Sequence, residues 1–165
     1  MAIVPVMADI GVDQPRLERR LAELERAAVF GVYSRFYAPL AIASVIVSFL
    51  PLFDDVVTEN ITSSYGTIWQ MASRIGGQPA AVGIILMMLL VSMLAVASFR
   101  VRGPGLPVGI AVDAALITLM LITRPGTGDP TPGLAEGGVA GLVIALCAVA
   151  LGIIHAAHLS RYGRR

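Results

Sequence analysis

Residues 79–122 read PAAVGIILMMLLVSMLAVASFRVRGPGLPVGIAVDAALITLMLI. Two apolar runs, 79–99 and 106–122, are joined through RVRGPGLP, a link of arginines, glycines and prolines. A helix needs about 20 apolar residues to cross the hydrocarbon core of a bilayer, within a range of about 17 to 25. Both runs meet that length, the second at its lower limit. A link so short and so rich in turn residues cannot carry the chain far. The two runs therefore predict a tight antiparallel pair of membrane helices.

Two further runs qualify on either side, 37–53 and 138–157. Composition agrees: 56% of the residues are hydrophobic, 14% are charged and the mean hydropathy is +0.80. Soluble domains carry about a quarter charged residues. The expected fold class is an all-α integral membrane protein with four transmembrane helices. The start, MAIVPVMADIGVD, lacks the leading charge and cleavage pattern of a signal peptide. The lone cysteine, Cys147, excludes an intramolecular disulfide.

All 12 basic residues are arginine, and their placement predicts an orientation. Arg16, Arg19, Arg20, Arg26 and Arg35 precede the first run, Arg100 and Arg102 lie in the hairpin link, and Arg161, Arg164 and Arg165 follow the last run. The other two loops hold only Arg74 and Arg124, beside Asp54, Asp55, Glu59, Asp129 and Glu136. By the positive-inside rule both ends of the chain are expected in the cytoplasm of a bacterial plasma-membrane protein. The expected organisation is a cytoplasmic segment (1–35), a membrane domain (36–158) and a basic tail (159–165). A net charge of +1 and no basic patch away from the membrane flanks argue against nucleic-acid binding.

Two amphipathic segments stand outside the runs. In DQPRLERRLAELERAAVF, Asp13 suits an N-cap and Pro15 the first turn, and Leu17, Leu21, Leu24 and Ala28 form an apolar stripe at helical spacing. Such a helix either rests on the inner leaflet or docks a partner. Its acidic side chains offset its arginines, which weakens the lipid-only reading. The second segment, SSYGTIWQMASRIGG, predicts a short external helix capped by Ser63 or Ser64 and ended by Gly76. Tyr65, Ile68, Trp69, Ala72 and Ile75 share its apolar face, and the Trp69 ring suits headgroup depth. It lies on lipid or covers a neighbouring subunit.

Asp113 sits in the middle of the third run. An ionised carboxylate there costs roughly 2.5 to 3.5 kcal/mol on insertion scales, so it must face protein or water. Gly105, Gly109 and Asp113 are spaced by four, which puts the carboxyl on a small-residue packing face. Arg35, Arg100, His155, Ser44, Ser48 and Ser92 are candidate partners, and a protonated carboxyl would also be tolerated. Three roles stay open: a polar lock between helices, a proton or cation site, and contact with a quinone or lipid headgroup. The fourth run carries a longer small-residue face, Gly137, Gly141, Ala145, Ala148, Gly152 and Ala156, which packs on another helix of this chain or of a partner. His155 and His158 share a face at its cytoplasmic end and read as an interfacial pair near headgroups; two histidines alone make a weak metal site.

No nucleophile elbow, zinc-protease motif, CxxC, phosphate-binding loop or dinucleotide fingerprint occurs. The expectation is no catalysis, no metal and no cofactor. The arginine-only basic set, the lead-in RLERRLAELERAAVFGVYSRFYAPLAIASV and the four runs with small loops resemble small actinobacterial membrane proteins. Among these the chain resembles accessory subunits of the cytochrome bc–aa-type oxidase respiratory supercomplex. That resemblance implies a non-catalytic subunit that packs against other membrane subunits and lipid and supports assembly. The other reading is a small proton- or cation-coupled transporter or channel-like homo-oligomer that uses Asp113.

Overall fold

The computed structural model describes residues 10–58, 61–74, 78–99, 101, 103–124 and 131–162. Its elements are α1 (Ile10–Val47), β1 (Val56–Thr58), β2 (Ile61–Ser63), α2 (Ile68–Ala72), α3 (Gln78–Phe99), α4 (Gly105–Thr123) and α5 (Glu136–Tyr162). Three helices, α3, α4 and α5, are long and apolar enough to cross a membrane, and α1 carries a shorter apolar stretch, Gly31–Val47. These four pack as a ring. α1 lies against α3 and α5, and α4 lies against α3 and α5, so that α1 and α4 are diagonal.

The core follows from side-chain size. Tyr33, Tyr37, Leu90, Leu94, Ile110, Ala114 and Ala148 meet in its centre. Large apolar side chains point outward instead, among them Ile85, Phe99, Leu119, Val143 and Ile153, each more than half exposed. An exterior of this kind suits lipid, since water-soluble monomers rarely expose large contiguous apolar patches.

α1 corrects the first-span boundaries. The helix ends at Val47, short of the expected 53. Pro51 disfavours helical backbone at Leu50. The chain tightens there into i→i+3 turns, Phe49 N–H to Ile46 C=O and Leu50 N–H to Val47 C=O. α1 also joins two elements that the sequence reading separates. It runs unbroken from the amphipathic segment into the apolar one, across the expected boundary at residue 35. All described side chains between residues 14 and 28 are exposed.

The loop ends are knitted into a cap that is not purely helical. β1 and β2 form an antiparallel hairpin, with Val56 opposite Ser63 and Thr58 opposite Ile61. Phe53 bridges both Gly66 and Leu134. The start of α5 closes against this cap: Gly137 N–H donates to Pro51 C=O at 3.1 Å, and Ala135 N–H to Leu52 C=O at 3.1 Å. These bonds satisfy donors that a helix N-terminus otherwise leaves open. Glycine is required here, because a Cβ on Gly137 would lie 2.5 Å from the Pro51 oxygen.

Candidate functional site

Besides Ser44 and Ser48, the buried polar side chains among the described residues are Asp113 and His155, at two places in the bundle. Asp113, near the middle of α4, is only 4% exposed. Neither carboxylate oxygen has a hydrogen-bond partner among the described residues. Of the partners the sequence offers, Ser44, Ser48 and Ser92 donate to carbonyls of their own helices (Leu40, Val45 and Met88). Arg35 is exposed. Arg100 lies outside the described residues. Gly109, one turn earlier, faces α3, where a Cβ would meet Met93 Sδ at 3.3 Å, whereas Gly105 has open space beside it.

The second place is the α1–α5 seam. His155 is fully buried, and its Nδ1 is 2.7 Å from the Tyr37 hydroxyl. Tyr33 stacks flat on the His155 ring at 4.2 Å, and its hydroxyl bonds Nδ1 of His158. The Nε2 of His155 has no partner among the described residues. This corrects the headgroup placement of the histidine pair: His155 belongs to the bundle core. Tyr33 and Tyr37 are four apart on α1, and His155 and His158 are three apart on α5, so each pair shares a helix face and the faces interlock. Those spacings were the available signal, and each pair taken alone does not reveal it.

The small-residue face of α5 packs within this chain. Gly152 approaches the α4 backbone so closely that a Cβ would sit 2.6 Å from the Pro107 oxygen and 3.1 Å from Ala111 Cβ. Gly141 faces Val47 of α1 and Leu121 of α4 at ordinary contact distance. Ala145 and Ala148 are buried between them. Pro107 falls in the first turn of α4, where its missing N–H breaks no helical bond.

In the cap, the expected external helix is shorter than its sequence pattern. Thr67, not Ser63 or Ser64, is the N-cap of α2, in a reciprocal capping box with Gln70. Ser63 is instead in β2, and Ile75 and Gly76 lie outside the described residues. Tyr65 precedes the helix and packs edge-on against Phe53. Trp69 stacks near Phe49, and its Nε1–H donates to Ser48 Oγ at 3.3 Å. Leu17, Leu21 and Leu24 are 57%, 60% and 66% exposed on the first half of α1.

Below the cap, a cavity of about 200 Å³ lies between all four long helices. Leu90, Ile117, Met87, Met120 and Ile144 are among its apolar lining, with Ser44, Ser48, Thr123 and Arg124 as its side-chain polar groups. Among the described residues, no group of three or more His, Cys, Asp or Glu side chains is arranged to hold a metal ion. Comparison of the chain with known protein families, with curated proteins and with solved structures found no match.

Proposed function

We propose that the chain is a non-catalytic membrane subunit that docks other membrane proteins and supports their assembly. The observation that carries this reading is the first half of α1. Its stripe of Leu17, Leu21 and Leu24 is continuous with a packed membrane helix but is exposed, covered by no other described residue. An exposed leucine stripe on a helix of balanced charge suits a protein groove better than an anionic leaflet. In this reading Gly31–Val47, α3, α4 and α5 are four spans, with the arginine-rich ends in the cytoplasm. The respiratory supercomplex is the proposed host, and that choice rests on the resemblance of sequence architecture.

A second reading has its own observation. Asp113 is buried in the apolar part of the bundle without a hydrogen-bond partner among the described residues, which fits a site awaiting a proton or cation in a homo-oligomeric carrier. Carriers usually pair such a site with repeated halves and broken helices, and neither feature occurs among the described elements.

Native purification of the tagged chain in mild detergent separates the two. Haem-bearing subunits that co-migrate in fixed ratio support the docking reading. A homo-oligomer without partners supports the second, and Asp113→Asn then goes into a reconstituted proton-flux assay.

A further inference from the structure

The cavity under the cap is walled by apolar groups, and its side-chain hydroxyls are already engaged. Ser44 Oγ donates to Leu40 C=O at 2.8 Å. Ser48 Oγ donates to Val45 C=O at 2.7 Å and accepts from Trp69 Nε1. The wall therefore offers little to a polar body. An enclosed apolar cavity of about 150 Å³ takes up apolar ligands, and this one, open on one side, has about 200 Å³.

The mouth has the opposite character. The exposed lining residues Pro79, Thr123 and Arg124 lie at the adjoining ends of α3 and α4. Val82, Ile85, Leu119 and Ile122, in the turns next to these helix ends, are more than half exposed, so the bundle surface near the mouth suits the acyl region of a bilayer. Arg124 Nη1 donates to Pro132 C=O at 3.3 Å, which uses one of the five donors of a guanidinium. Its backbone has φ of +53°, and no other described non-glycine residue has positive φ. Such strain persists only where the surroundings hold it, and it gathers at ligand clamps. An apolar slot with a guanidinium at its rim is complementary to an apolar chain ending in an anionic acceptor.

We propose that this cavity holds a segment of the acyl chain of one anionic amphiphile, with its phosphate or carboxylate head at Arg124. The head can belong to a bilayer phospholipid or to a free fatty acid. This site is independent of the docking stripe on α1.

The test is native mass spectrometry of the delipidated full chain in detergent, titrated with phosphatidylglycerol, oleate or phosphatidylcholine. The expected result is saturable one-to-one binding of an anionic amphiphile, with phosphatidylcholine at least tenfold weaker. Tighter binding of phosphatidylglycerol identifies bilayer lipid as the source, and tighter binding of oleate identifies free fatty acid. Arg124→Gln should abolish the preference for the anionic head. Gly83→Leu, whose Cβ would point at the cavity-lining Ile68 and Met120 side chains, should weaken binding at least tenfold. The unsubstituted protein gives a second readout, because Trp69 lies between Ile68 and Met71, which line the cavity. A chain brominated at its middle should quench Trp69 fluorescence and saturate at one equivalent. The proposal is overturned by equal binding of phosphatidylglycerol and phosphatidylcholine, by no one-to-one complex with either anionic probe, or by quenching that rises without saturation.

Discussion

Gly152→Ala is a sharp perturbation of the α4–α5 seam, because the added atom meets backbone it cannot displace. Its Cβ would stand 2.6 Å from the Pro107 oxygen, 3.1 Å from Ala111 Cβ and 3.2 Å from Ala111 N. Carbon–oxygen contacts settle at about 3.3 Å or more, so α4 and α5 must part by roughly 0.7 Å at that turn. A gap of that size forfeits about a quarter to a half of the attraction of each atom pair along the seam. Backbone atoms cannot swing aside as a side-chain end can, so the overpacking cost of about 1–3 kcal/mol applies. Alanine regains about 0.8–1.0 kcal/mol of helix propensity over glycine. The net expectation is a loss of up to about 2 kcal/mol. Gly141→Ala is the matched control on the same helix: its Cβ would meet Val47 and Leu121 at 3.5 and 3.6 Å. There the propensity gain is unopposed, and stability should rise by up to about 1 kcal/mol. Unfolding in detergent, followed by circular dichroism, should rank the variants Gly141→Ala, unsubstituted chain, Gly152→Ala. A Gly152→Ala protein as stable as Gly141→Ala would refute the close α4–α5 contact.

Other substitutions probe the remaining parts. Tyr37→Phe removes the hydroxyl paired with buried His155 and should destabilise by about 1–3 kcal/mol in the same unfolding assay. Asp113→Leu replaces an unpartnered buried carboxyl with an apolar side chain. The isolated chain should gain roughly 2–3 kcal/mol, while recovery of a partner-bound form falls if Asp113 locks onto another subunit. Topology is open to labelling in intact cells: in a Cys147→Ser background, a membrane-impermeant maleimide should modify Ser64→Cys directly and Ser160→Cys only after permeabilisation.

What the sequence discloses follows the range of the interaction that makes each feature. Hydropathy over a window of about 20 residues reports transfer into lipid, so the runs behind α3, α4 and α5 are legible one helix at a time. The end of α1 is not, because the sequence stays apolar past the end of the helix at Val47, and Leu52 and Phe53 beyond Pro51 pack into the cap instead. The β-hairpin offers only VVT and ITS, triplets with five β-branched residues between them but too short to outweigh a polar loop context. The Tyr33–Tyr37–His155–His158 network joins residues more than 100 positions apart, so their meeting depends on how α1 and α5 dock. Gly109 and Gly152 were readable as packing positions, but the identity of the facing atoms was not. The cavity was invisible, since it is the space left between four helices.

The central claim is that the exposed leucine stripe of α1 meets another protein. The most direct measurement places a photo-crosslinking amino acid at position 21, in place of Leu21, and irradiates native membranes. The account predicts one dominant adduct with a different membrane protein, lost when Leu17 and Leu24 are changed to serine. Adducts confined to lipid, or to another copy of this chain, would contradict it.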